Sequence, residues 1–263
     1  MSAEITSEQA LPPWEIHDWV TPPPTDLIFD DGEPLETNRH RIAMNVLIDS
    51  ALSAPKDRSD SFVGGNMFVY YSRNQKMNRD FRGPDFFAVL NVDGSRERKG
   101  WVVWEEDGRY PDVIVEFMSP STAKIDTGIK KTLYSETFHT ANYFVYDPFD
   151  SNSLQGWYLD SAQRYQSLSP NDRGWLWCEK LGLWLGTWEG SIRREPPSGT
   201  CHWLRFYDEA GQLIPLFEEA AQQQAEEERL RAEAARLQAE EERSRAERLA
   251  ERLRSLGIDP SEV

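Results

Sequence analysis

The sequence predicts an α/β or α+β domain built on a single sheet. Runs rich in Val, Phe, Tyr and Ile, bounded by Gly, Pro or Asn, mark strands, and apolar residues at helical spacing precede and follow them. A content of 39% hydrophobic residues with ten Trp in 263 positions is enough to bury a sizeable core.

Residues 1–34 hold "LPPW", "TPPPT" and "DDGEP", a Pro-rich run that cannot sustain a helix or a central strand and reads as an extended arm. "ETNRHRIAMNVLIDSAL" then sets Ile42, Val46 and the group from Leu47 to Leu52 at helical spacing, so an amphipathic helix starts near Glu36. "SFVGGNMFVYYS", "GPDFFAVLNV" and "YPDVIVEFMS" are three strands, and "GWVVWEEDG" between the last two reads as an edge hairpin. "SPSTAKID" is turn chemistry, with Asp126 as the expected N-cap of a helix whose face is Ile129, Leu133 and Thr137. "NYFVYDP" is a short buried strand stopped by Asp-Pro.

Residues 154–214 carry six of the ten Trp in short alternating strands, and the segment is expected to form a β-meander packed on the core. A Trp cluster can also stack bases, but few basic residues lie nearby, which favours packing. From Phe217 the chain has no Gly or Pro until Gly257 and is dominated by Ala, Glu, Arg and Gln, so one helix about 55 Å long is expected. Leu230 and Leu237 are a heptad apart, but Ser244 breaks the seam, and a modest coiled coil and a solvated helix fit equally well. The expected division is therefore an arm at 1–34, a domain at 35–214 with a core at 35–150 and the Trp-rich extension at 151–214, and a helix at 215–263.

Charge restricts the function. The net charge is -16, and residues 218–254, with eleven Glu and eight Arg, account for only -3 of it. Binding to nucleic acid would need a local basic patch, a bound divalent cation or a partner. No apolar run is long enough for a membrane span and no signal peptide is evident, so a soluble cytoplasmic protein is expected. Cys178 and Cys201 lack CxxC spacing and are expected to be free thiols.

"PDVIVEFMSPS" offers two carboxylates. On a strand, Asp112 and Glu116 share a face but stand about 13 Å apart at 3.3 Å per residue, too far for one ion, so Asp112 is expected to cap the strand entry. A second Pro-Asp opens "PDFFAVL". If the two strands are antiparallel neighbours, Asp85 faces Glu116 across one interstrand spacing of about 4.8 Å, which suits a shared Mg²⁺. Such an acid pair needs a compensating cation, whether a metal, a lysine or both, and Lys130 and Lys131 lie at the start of the following helix, Lys130 on the face of Tyr134.

These features in order, "PDFFAVL", "PDVIVEFMSPST", Asp126, Lys130 with Leu133 and Tyr134, then "NYFVYDP", resemble the PD-(D/E)XK nuclease superfamily. Within it they are most similar to its Uma-two branch of restriction endonuclease-like proteins, over roughly residues 30–160. The resemblance implies a restriction-endonuclease-like core, a central mixed sheet flanked by helices. It implies that Asp85 and Glu116 bind Mg²⁺, with Mn²⁺ as a substitute, and that Lys130 orients or activates the attacking water. Glu36 is implied as an extra acidic ligand, and His40, Tyr134 and Lys131 as auxiliary residues. The superfamily's usual third position falls at Met118, so the lysine would have moved onto the helix. The implied function is a Mg²⁺-dependent endonuclease acting on DNA, with a homodimer or a protein partner held through the C-terminal helix. The alternatives are an inactive nuclease fold that works as a binding or scaffold module through that helix, and a nuclease of RNA or branched DNA.

Overall fold

A computed structural model describes Leu27 and residues 37–54, 60–72 and 83–256. The chain divides into two compact units at the Ile214–Pro215 junction.

The first unit begins with helix α1, Asn38–Leu52. Thr37, extended just before it, accepts the His40 N–H on its side-chain oxygen at 3.2 Å and so caps the first turn. The buried face is Ile42, Ala43, Val46 and Leu47. Two short strands follow, β1 (Ser61–Gly64) and β2 (Val69–Tyr70), then β3 (Phe86–Leu90) and β4 (Trp101–Val102). The expected hairpin at "GWVVWEEDG" does not form. β4 pairs in parallel with β2, and Val103–Glu105 closes into a 3₁₀ turn, which removes the second arm of a hairpin.

β5 is Val113–Phe117, and β6, Asn142–Asp147, lies parallel to it. Parallel neighbours need a crossover. Helix α2 supplies it, running from Ala123–Ile125 through a π turn at Asp126–Lys130 to Lys131–Glu136. The helix starts at Ala123, so Asp126 is not its N-cap; its φ of -66° and ψ of -45° place it within the helical run. Ile129 is exposed and Thr137 lies on the surface, whereas Asp126, Tyr134 and Phe138 are buried. The inward face is thus centred on the set spaced by four from Asp126; of the expected Ile129, Leu133 and Thr137, only Leu133 packs against the core.

β7 (Asp150–Leu159) and β8 (Tyr165–Ser167) complete a six-stranded mixed sheet, ordered β1-β3-β5-β6-β7-β8. β9 (Leu176–Cys178), β10 (Leu183–Gly190) and β11 (Cys201–Tyr207) form a separate antiparallel meander. The Trp-rich segment is therefore shared between two sheets, since β7 turns back on β6 and continues the main one. Trp157, Trp175 and Trp203 are buried, and Trp175 stacks on Tyr207 with centroids 3.8 Å apart, so these rings pack the interior. Both cysteines are free thiols.

Strand alternation gives the main sheet two apolar faces. Phe87, Val89, Ile114, Met118, Tyr143, Val145 and Trp157 join Tyr134 and Phe138 of α2 in one cluster. The second unit contains α3, Phe217–Ser255, 39 residues with no buried side chain. Glu219 accepts the Leu216 N–H at 2.8 Å, and pairs such as Glu227 with Arg231 line the helix. No helix among the described residues is long and apolar enough to cross a membrane.

Candidate active site

β3 and β5 are antiparallel, with Phe86 opposite Val115 and Ala88 opposite Val113. The same register carried one residue further sets Asp85 opposite Glu116, both on the α2 side of the sheet. Asp85 Oδ2 accepts the Phe117 N–H at 2.7 Å, closing the ladder at that end. At the other end Asp112 Oδ2 accepts the Leu90 N–H at 2.8 Å. The two Pro-Asp pairs are thus equivalent caps of one strand pair, and what distinguishes them is the facing residue: Asp85 meets Glu116, whereas the register puts Val89 opposite Asp112. Asp112 has the structural role expected for it.

The approach of Asp85 depends on Gly65. A Cβ at this position would lie 2.2 Å from the Asp85 carbonyl oxygen, so no other residue allows the two backbones to pack this closely. The neighbouring Asn66 N–H donates to Pro84 O at 2.9 Å, which fixes the entry to β3.

Glu116 is 1% exposed and has two partners. The Tyr134 hydroxyl donates to Oε1 at 2.7 Å, and Lys130 Nζ stands 3.0 Å from Oε2. Lys130 Nζ is also 2.9 Å from Oδ1 of Asp126, another carboxylate 1% exposed. The Tyr143 hydroxyl donates to Asp126 O at 2.8 Å and pins the π turn to the sheet. Two carboxylates therefore share one ammonium, and Asp85 lies near enough to feel its charge. Burial and the facing Glu116 push the Asp85 carboxyl well above its usual range, against the pull of the Phe117 N–H and Lys130. Burial raises Asp126 as well, partly offset by Lys130. At Lys130 burial opposes the charge, but Glu116 and Asp126 outweigh it and hold the ammonium above its ordinary pKa.

The structure brings Asp85, Glu116, Lys130 and Tyr134 together. It places Lys131 elsewhere, with Nζ 4.0 Å from the centroid of the Trp157 ring, where loss of hydration lowers its pKa. His40 is buried, its Nδ1 2.8 Å from Thr37 Oγ1 and its Nε2 3.1 Å from Met118 O. A carbonyl oxygen only accepts, so Nε2–H donates to Met118 O. The ring ties α1 to the end of β5. Met118, where the superfamily pattern would have its lysine, is buried in the apolar cluster. Glu36 lies outside the described residues. Asp126 is the site residue that sequence reasoning placed in a cap; its spacing of four from Lys130 was the available signal.

Hard oxygen donors suit Mg²⁺, which binds through one or two carboxylates and keeps several waters. Asp85 and Glu116, on facing strands, are the residues that could hold such an ion, within a cluster of three carboxyl groups and one ammonium. Among the described residues no three His, Cys, Asp or Glu side chains converge as a ready-made metal cage. The carboxylates close on Lys130 instead.

Residues 14–188 match the model of the Uma2 family, whose description is "Putative restriction endonuclease", and the chain belongs to that family. The crystal structure of a "putative nuclease belonging to DUF820" from Anabaena variabilis ATCC 29413 is similar over 62% of this chain and 88% of that one, with 14% identity and a TM-score of 0.40. Comparison with curated proteins finds no match.

Proposed function

We propose that the protein is a Mg²⁺-dependent endonuclease that hydrolyses phosphodiester bonds in DNA, with Mn²⁺ able to replace Mg²⁺. The observation that carries this reading is the cluster of Asp85, Glu116 and Lys130 in a member of this family: two acids on facing strands and a charged lysine from the crossover helix. Asp85 and Glu116 hold the ion. When bound, the ion lowers the pKa of a coordinated water and neutralises charge on the phosphoryl oxygens.

The chain's own residues do the rest. Glu116 and Asp126 favour the protonated form of Lys130, which supplies a positive charge towards the phosphate and the attacking water. Tyr134 holds Glu116 in one orientation through Oε1, and the Phe117 N–H does the same for Asp85. His40 fixes the chain immediately after β5, so that Glu116 stays on the α2 side. The surplus of carboxylates favours a cation at the site, and through it a phosphate that the acidic protein would otherwise repel.

The test is nicking of supercoiled plasmid in Mg²⁺ and in EDTA. Wild type is expected to nick only with the metal, and Glu116→Ala to be inactive in both. Equal nicking by the two proteins would overturn the proposal.

A further inference from the structure

Lys130 is ion-paired to a carboxylate that would also hold the divalent ion. Its Nζ lies 3.0 Å from Glu116 Oε2 and 2.9 Å from Asp126 Oδ1, a two-point clamp between residues that are each 1% exposed. The other Glu116 oxygen holds the Tyr134 hydroxyl. Oε2 is paired with the ammonium, and a second cation brought to it would meet that charge at close range in a site with little water to screen it.

The two ends of the clamp differ in stiffness. Asp126 stands on a π turn whose backbone is anchored twice, by the Tyr143 hydroxyl on Asp126 O at 2.8 Å and by the Thr127 hydroxyl on Ala123 O at 2.7 Å. Lys130 reaches Glu116 from the far end of that turn on a flexible four-carbon stem, 23% exposed. A pivot about Asp126 would release Glu116 while the ammonium kept one charged partner.

We propose that Lys130 is the resident cation of the metal-free site and competes with the divalent ion for Glu116, and that Asp126 is the positioning residue that takes Lys130 when the ion enters. This rests on the reading above that Asp85 and Glu116 hold the ion. Contact of Lys130 with Glu116 Oε2 and occupancy by metal are then mutually exclusive, so the ammonium raises the apparent dissociation constant of the ion. Asp126 sets that constant without touching the ion.

The test is Mn²⁺ affinity of the EDTA-stripped full chain, read from the free-Mn²⁺ electron paramagnetic resonance signal and, independently, from the rise in Tm on adding Mn²⁺. Lys130→Met is expected to bind Mn²⁺ about tenfold more tightly than wild type, the scale of a close charge pair, although it loses nicking activity. Lys130→Gln, which removes the charge and keeps a shorter polar side chain, should tighten binding likewise and guards against a Met variant that folds poorly. Asp126→Asn should weaken Mn²⁺ binding in the wild-type background and leave it unchanged in the Lys130→Gln background. Wild type that binds Mn²⁺ while both lysine variants bind it equally or more weakly would overturn competition and leave the metal reading intact. Equal effects of Asp126→Asn in the two backgrounds would show plain electrostatics and overturn the positioning role. Failure of every protein to bind Mn²⁺ would overturn the metal reading itself, and this inference with it.

Discussion

Tyr134→Phe isolates one hydrogen bond of the site. The Tyr134 ring is fully buried, edge-on to Tyr143 with centroids 5.2 Å apart and at the same distance from Phe138. Phenylalanine preserves those contacts and removes only the hydroxyl that donates to Glu116 Oε1 at 2.7 Å. A hydrogen bond to a charged group is worth about 1.5–3 kcal/mol. The lower half of that range is expected here, because Lys130 still neutralises Glu116 through Oε2. With an m-value of about 3 kcal/mol/M in urea, the unfolding midpoint should fall by about 0.5–0.75 M with m unchanged. Equilibrium unfolding in EDTA, followed by Trp fluorescence, measures this directly. A shift below about 0.2 M, or a gain in stability, would refute the charged, Tyr-held Glu116 on which the site is built.

The two Pro-Asp caps should separate stability from function: Asp112→Ala costs about 1–2 kcal/mol and keeps nicking, whereas Asp85→Ala abolishes nicking at a smaller cost, because it also relieves repulsion with Glu116. Urea unfolding and plasmid nicking of the pair decide this. Raised above its unfolded value, the Asp85 carboxyl retains a proton in the folded state that the unfolded chain releases. Its contribution therefore falls as pH rises from about 4 through the raised pKa, and Asp85→Asn should flatten the decline in metal-free stability over that window. Parallel pH slopes for the two proteins in EDTA would contradict the assignment. Deleting residues 217–263 should leave the thermal transition of the first unit intact, since the removed helix has no buried side chain. A change in oligomeric state by light scattering would assign α3 to self-association, and an unchanged state would remove that role.

The β3–β5 pairing was legible in the sequence because both strands are short, apolar and opened by the same Pro-Asp, so antiparallel register alone brings Asp85 to Glu116. The inward face of α2 was not. Apolar periodicity finds a buried face by its hydrophobicity, and here the buried face carries Asp126, Lys130 and the Tyr134 hydroxyl, while exposed Ile129 imitates a core position. The face shared with Tyr134 pointed to Lys130, and the structure decides between it and Lys131 by giving one lysine two carboxylates and the other an indole. The Trp-rich segment hid its division because alternation reveals the faces of a strand but not the sheet it joins.

The central claim is that Asp85 and Glu116 together bind the ion that drives cleavage. Anomalous diffraction from crystals soaked in Mn²⁺ tests it most directly. The account predicts one strong peak between the Asp85 and Glu116 carboxylates, with Lys130 moved off Glu116, and no such peak in Glu116→Ala. A peak elsewhere in the protein, or none at this pair while Mn²⁺ still supports nicking, would contradict it.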